Sequence, residues 1–194
     1  MKKIFNPFLL ALSLLTMSSC DKFLDVNTDP NNPSQPVLEL LLPATQVSLG
    51  VNIGGGTINR VATVVMQHAT IGGFSRFDYT GSTFQTNWNN LYAQALNDIE
   101  IIIKNGTEAK SFGYVGMAKI EKAYIYSIMV DLWGDVPYTE AVQGETNLTP
   151  KFDKGADVYN DLFRLIDEGI ADLNRNPYIS PGTADLFYRG DRAL

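Results

Sequence analysis

Phe112-Gly-Tyr-Val-Gly-Met-Ala-Lys-Ile-Glu-Lys-Ala-Tyr-Ile-Tyr-Ser-Ile-Met-Val-Asp-Leu-Trp133 is apolar nearly all round when wound as a helix, relieved mainly by Lys119, Glu121, Lys122 and Asp131. A helix of that kind must be covered on more than one side. Directly after it stands Trp133-Gly-Asp-Val-Pro-Tyr-Thr-Glu-Ala141. Gly134 can take the left-handed conformation that stops a helix, and Val136, preceding proline, is pushed to an extended backbone. Trp133, Gly134, Asp135, Pro137 and Tyr138 are therefore read as a structural stop with an aromatic on each flank.

Upstream, Phe84, Trp88, Leu91, Ala95, Ile99 and Ile102 recur at steps of three and four, which predicts a helix ending at Asn105-Gly106, a pair suited to a left-handed cap. Two long helices joined by a short turn make an antiparallel hairpin, the unit of helical-repeat folds, and one hairpin alone cannot bury both its faces. Leu38 to Val51 reads as an earlier helix whose regular part begins near Pro43, closed by Asn52 and Gly54-Gly55-Gly56. No Gly-Lys-Ser/Thr follows those glycines and no Gly-x-Gly-x-x-Gly spacing exists, so they form a flexible turn and no phosphate cradle. Ile58 to Ile71 reads as a further helix with Ile58, Val61, Val65 and Ala69 on one face. His68, near its end, is the single histidine and has no Cys, His or carboxylate at ligand spacing, so it reads as a surface or half-buried packing residue and not a metal ligand.

Downstream, a polar connection from Gln143 to Lys151 leads to an amphipathic helix that Asp153 or Asp157 can cap, with Val158, Leu162, Leu165, Ile166 and Leu173 inside and Asn174 and Pro177 at its close. The segment from Asp185 to Leu194 looks like the approach to another helix. No strand-like alternation competes with these patterns, and the fold class is mainly α.

Gly72 to Thr86 differs from its surroundings, with Phe74, Arg76, Phe77, Asp78, Tyr79 and Phe84 set among glycines and hydroxyls. Flat apolar faces beside polar groups are what a sugar or peptide ligand can stack on and bond to. Arg76, Tyr79 and Trp88 are the candidate ligand-binding residues, Arg76 as donor and the rings as platforms. The alternative is that these rings pack on the helices.

The start of the chain is Met1-Lys2-Lys3, an apolar run from Phe8 to Met17, then Ser18-Ser19-Cys20, and no cysteine follows. The apolar run is too short for a membrane span and fits the core of a cleaved signal peptide over residues 1–19. Cys20 would become the first mature residue. The arrangement resembles the lipobox of a bacterial lipoprotein, with Met17 where that pattern prefers leucine, and implies a thiol carrying acyl chains such as palmitate. The alternative is an ordinary secretory signal with a chance cysteine. Residues 20–36, polar and broken by Pro30, Pro33 and Pro36, read as an extended tether, and residues 37–194 as the helical domain. Asp25, Asn27 and Asp29 imitate the opening of a calcium loop, but Pro30 replaces its turn glycine and Pro36 its glutamate, which argues against that site.

Losing the two leader lysines leaves 13 basic residues against 21 acidic ones, a net charge of −8. With no cluster of Lys and Arg, that balance opposes nucleic acid and anionic lipid surfaces as partners. A single cysteine permits no intramolecular disulfide, so packing must stabilise the fold unaided. No residue pattern calls for a cofactor. A secreted hydrolase using Asp131, Asp135 or Glu140 is a second function class, but these carboxylates fall at a helix end and turn where capping and solvation account for them. A surface scaffold or adhesin without a nutrient ligand is a third.

Taken together, the tether from Cys20 to Pro33, Trp88 to Asp98, Asp131-Leu-Trp-Gly-Asp-Val-Pro-Tyr-Thr-Glu-Ala141 and Tyr188-Arg-Gly-Asp191 resemble the SusD/RagB family of outer-membrane nutrient-binding lipoproteins, in particular its SusD-like subgroup. The resemblance implies a fold of tetratricopeptide-like helical hairpins with long loops. It implies a non-catalytic protein, lipid-anchored on the outer face of the outer membrane, that captures an oligosaccharide, glycan fragment or peptide. That ligand would be passed to a partner SusC-like TonB-dependent β-barrel transporter. Family members are considerably longer, so the chain reads as an N-terminal portion.

Overall fold

The structure, a computed structural model, describes residues 37–70, 79–80 and 82–192. The leader 1–19, Cys20, the tether 20–36 and Arg76 lie outside the described residues.

Helix α1 spans Leu38–Leu49 and buries Leu42, Thr45, Gln46 and Leu49. It begins five residues ahead of Pro43, which sits inside it, and not at the proline as the sequence suggested. Pro43 has no amide to give the carbonyl of Glu39 one turn earlier, but Glu39 is exposed, where water can serve that carbonyl. The chain continues without a break into a π-helical turn, Gly50–Gly54. Asn52 is held there because its carbonyl accepts Asn87 Nδ2 at 2.8 Å and its side-chain oxygen accepts Asn90 Nδ2 at 3.0 Å. Helix α2, Thr57–Val65, buries Ile58, Val61 and Val64. It ends sooner than expected, so Val64 and not Val65 completes its inner face, and His68 is exposed beyond it.

Helices α3 (Gln85–Asn90) and α4 (Asn97–Glu108) are joined by a π-helical segment, Leu91–Leu96, into one continuous element. The wider turn admits an extra residue, which is why neighbours Ala95 and Leu96 are both buried on the face that Leu91, Ile99 and Ile102 share. Asn105-Gly106 does not cap this helix. Gly106 is buried within it, where a Cβ would lie 2.8 Å from Val115 Cγ2, and the left-handed residue is Lys110, φ 56°. The glycine serves close packing, and the turn falls four residues later.

Helix α5 is Phe112–Trp133, as read from the sequence, and α6 is Gly155–Leu173. They form an antiparallel hairpin, since Gly116 near the start of α5 meets Gly169 and Leu173 near the end of α6, while Gly155 meets Val130. α5 is the centre of the fold, with α1, α4 and α6 packed against it. This disposition supplies the cover its nearly all-round apolar surface requires. Leu42, Leu91, Ile99, Ile102, Ile125 and Met129 are fully buried there. Val158, Leu162 and Leu165 of α6 face inward, whereas Ile166, expected inside, is exposed together with Phe163 and Ile170. The described residues contain no strand. Val136 and Asp153 form an isolated antiparallel bridge that closes the α5–α6 connection. Beyond α6, residues 185–190 form a turn folded around the Asp185 carboxylate, which accepts the amides of Phe187, Tyr188 and Gly190 at 2.9–3.2 Å.

Candidate functional site

The start of the α3 element with the π-helical segment after it, the end of α5 and the α5–α6 connection together build an aromatic cluster. Trp133, last residue of α5, meets Trp88 edge to face with centroids 5.1 Å apart and Phe84 at 6.3 Å. Trp88 lies one helical turn before Tyr92, 4.8 Å away, and its far side faces Phe152 at 6.4 Å with the rings only 19° from parallel. Tyr92, Tyr126 and Tyr138 continue the chain of rings into the core at 6.3 and 4.7 Å.

Gly134, φ +77°, turns the chain out of α5, and each following residue is fixed by a defined partner. Asp135 accepts the amide of Gly155 at 3.0 Å and Lys154 Nζ at 2.8 Å, so it caps α6 from across the hairpin. The expected caps do not: the side chain of Asp153 is turned the other way, taking the amides of Thr139 at 2.7 Å and Tyr138 at 3.1 Å. Burial pushes the Asp153 carboxyl up, but the Thr139 amide and hydroxyl and the Tyr138 amide outweigh it and hold the group below the usual carboxylate range. The Pro137 carbonyl accepts Tyr92 O–H at 2.6 Å, and Tyr138 O–H donates to Asp161 at 2.5 Å. Burial pushes both phenols well above their ordinary range, Tyr138 with the Asp161 bond adding to it. They remain protonated donors at any physiological pH.

Between these elements opens a groove of about 440 Å³ lined by Trp88, Tyr92, Asn97, Pro137, Val142 and Phe152, among others. Its walls are mostly apolar ring faces and small side chains, and Phe152 is 63% exposed. Tyr92 has its hydroxyl committed to Pro137, so Asn97 supplies polar capacity on this wall. A ring-shaped ligand with apolar faces can lie against such walls while its edge groups stay hydrated.

Of the three ligand-binding candidates, Trp88 is in this groove. Tyr79 is half-buried beside the stretch 71–78, and Arg76 falls within that stretch, outside the described residues. Tyr92 and Phe152 were not singled out from the sequence. Tyr92 carried a signal in its four-residue spacing from Trp88, whereas Phe152 is a lone aromatic in a polar connection. The carboxylates considered for hydrolysis are otherwise engaged: Asp131 accepts Tyr159 O–H at 2.7 Å, Asp135 caps α6, and Glu140 accepts the Lys151 amide at 3.2 Å. Lys154 holds the Asp135 carboxyl low, and the Lys151 amide does the same for Glu140. Neither is set up as a proton donor. Among the described residues no three His, Cys, Asp or Glu gather as a metal site. Nor is any helix among them long and apolar enough to cross a membrane.

Residues 30–193 match the sequence model of the SusD-like family described as starch-binding, associating with outer membrane. No curated protein matches the chain. Among solved structures, it is similar to a SusD/RagB family protein from Bacteroides thetaiotaomicron, TM-score 0.71 at 24% identity, over 81% of this chain and 34% of that one. It is also similar to a chitin-binding protein, TM-score 0.63 at 30% identity, over 78% of this chain and 35% of that one. A SusD-like protein of Bacteroidetes AC2a gives 0.64 at 22%, over 81% and 30%. The chain thus spans about a third of the length of these structures.

Proposed function

The chain belongs to the SusD/RagB-like family, and from that premise we propose that it is a non-catalytic nutrient-binding protein of the outer membrane. It captures an oligosaccharide, glycan fragment or peptide and delivers it to a SusC-like TonB-dependent β-barrel transporter. Cys20 carries the lipid that moors it, residues 20–36 are the tether above the bilayer, and the helical hairpins are tetratricopeptide-like units that hold the binding surface outward. Acyl chains contribute roughly 0.8 kcal/mol per buried methylene, so two or three suffice to anchor such a domain.

The observation that carries this reading is the family match over residues 30–193. The aromatic groove supports the binding half of it. Trp88 stacks on ligand there, and Arg76 and Tyr79 are further contacts in this reading, Arg76 by hydrogen bonds to hydroxyl or carboxylate oxygens.

Calorimetric titration of the full chain with malto-oligosaccharides, chito-oligosaccharides and short peptides tests the binding. Starch and chitin probes follow from the family description and from one of the similar structures. Saturable binding without turnover is expected, weakened in the Arg76→Ala, Tyr79→Ala and Trp88→Ala variants at unchanged helicity. Hydrolysis of any probe by the purified protein would overturn the reading. Affinity capture of the lipidated protein from its own membranes should recover a β-barrel with a plug domain.

A further inference from the structure

We propose that Glu121 is a proton-bearing carboxylic acid whose hydrogen locks the 185–190 turn onto α1 and α5, so that this junction is a pH-sensitive latch. Glu121 lies midway along α5, on the side of the fold where α1 and the turn meet, and is 6% exposed; Thr45, Gln46 and Asp185 are exposed by 0–3%. Thr45 Oγ1 is 2.6 Å from Glu121 Oε2 and 2.8 Å from the Leu42 carbonyl. Gln46 Nε2 is 2.9 Å from Glu121 Oε1 and also 2.9 Å from Asp185 Oδ1, and Gln46 Oε1 accepts the Leu186 amide at 2.6 Å.

The number of hydrogens decides the protonation state. A threonine hydroxyl has one hydrogen, yet two acceptors lie within its reach if Glu121 is ionised. If Glu121 carries the proton, its O–H donates to Thr45 Oγ1, Thr45 passes its own hydrogen to the Leu42 carbonyl, and both contacts become donor–acceptor pairs. Gln46 has both amide hydrogens spent on the two carboxyl groups, so it can offer Glu121 nothing further. Asp185 is the ionised member. Burial opposes its charge, but the amides of Gly190, Phe187 and Tyr188, with Gln46, hold its carboxyl below the usual range.

Among the described residues no cation forms an ion pair with Glu121. From the turn, Asp185 and Tyr188 face Glu121. Asp191 and Arg192 line, with Glu121 and Asp185, a cavity of about 210 Å³, and Tyr124, on the same helix as Glu121, lines a second of about 350 Å³ that Glu121 also borders. α1 offers only the uncharged Thr45 and Gln46. Arg192 is drawn toward the Leu173 carbonyl at 3.1 Å and the Tyr178 ring. Lys119 is paired with Glu168 and Asp172, and Lys122 with Glu100. α6 presents Leu173 to the cavity, and its Asp172 is taken by Lys119 and Arg175. Burial, and after it the charge of Asp185, pushes the Glu121 carboxyl up to about 7 against the bonds from Thr45 and Gln46. Loss of the proton turns the Thr45 hydrogen back to Glu121, leaves one amide bridging two anions, and loosens the turn.

The experiment is a carbon-detected NMR titration of the Glu121 carboxyl in the full chain, with midpoint expected near 7. A midpoint in the ordinary range near 4.5 overturns the latch. Glu121→Gln keeps the geometry, its NH2 donating to Thr45 and its carbonyl accepting from Gln46. Relative to this variant, the wild type should lose Tm as pH rises from about 5 to about 8, because its folded carboxyl keeps a proton that the unfolded one releases. Exchange at the Leu186 and Gly190 amides, corrected for intrinsic rate, should rise about tenfold over the same interval in the wild type and stay flat in the variant. Parallel behaviour of the two proteins in both measurements would also sink the proposal.

Discussion

Gly116 and Gly169 lie back to back where α5 crosses α6: a Cβ on Gly116 would stand 2.7 Å from the Gly169 carbonyl oxygen, and one on Gly169 would stand 2.9 Å from the Gly116 carbonyl oxygen. Backbone meets backbone, so neither helix can yield by rotating a side chain. Gly116→Ala is expected to destabilise by about 1–3 kcal/mol through overpacking, although alanine is the better helix former. Denaturant unfolding of the variant should show a lower midpoint at unchanged slope; an unchanged midpoint would mean the hairpin can part at this crossing without penalty.

That crossing marks the border of what could be read from residues alone. The extent of α5 and the stop at Gly134 were legible because an all-round apolar run and a glycine before an extended Val-Pro pair are local signals. The end of α4 was not, since Asn105-Gly106 satisfies the local rule for a cap while the close approach of Val115 requires glycine there for a different reason. Pro43 misled in the same way: the buried side chains of Leu42, Thr45 and Gln46 hold α1 together across a residue that local rules place in a first turn. In the groove, Trp88 stood out by composition, whereas Phe152 reaches it only through the fold of the α5–α6 connection, which no spacing encodes. Long-range capping was equally hidden, as Asp135 is twenty residues from the amide it serves.

Asp153 is the hub of that connection. Asp153→Ala leaves the half-buried Tyr138 amide and the exposed Thr139 amide without their acceptor, at an expected loss of about 0.5–1.5 kcal/mol. Because the folded carboxyl is held below its ordinary value of 3.8, its contribution is fully present above that pH and disappears as pH falls through the lower folded value. Chemical denaturation of wild type and variant should therefore converge toward strongly acidic pH and diverge at neutral pH.

Tyr92→Phe removes the 2.6 Å bond to the Pro137 carbonyl and little else, since the ring keeps its contacts with Trp88 and Tyr126. A loss of about 0.5–1.5 kcal/mol in unfolding free energy is expected. Ligand affinity, measured by calorimetry, should stay near the wild-type value if ring faces and not the phenol make the contact.

Cys20→Ala tests the mooring directly. The variant should be recovered from the soluble fraction of cells or their medium, while the wild type partitions with membranes and its N-terminal peptide carries the mass of acyl chains. Equal partitioning of both proteins would remove lipid from the account.

Trp88 and Trp133 are the two tryptophans of the chain and sit 5.1 Å apart, so intrinsic fluorescence reports on the groove. Trp133 meets Phe84 and Trp88 edge to face and is not among the groove's lining residues, whereas Trp88 lines the groove with Phe152. In a Trp133→Phe variant the remaining emission comes from Trp88 alone, and a bound sugar ring that excludes water from its face should shift that emission to the blue. In Trp88→Phe the emission of Trp133 should respond weakly or not at all to the same oligosaccharide. If Trp133 responds and Trp88 does not, ligand enters on the other side of the cluster, and the groove beside Phe152 is a packing feature with no part in capture.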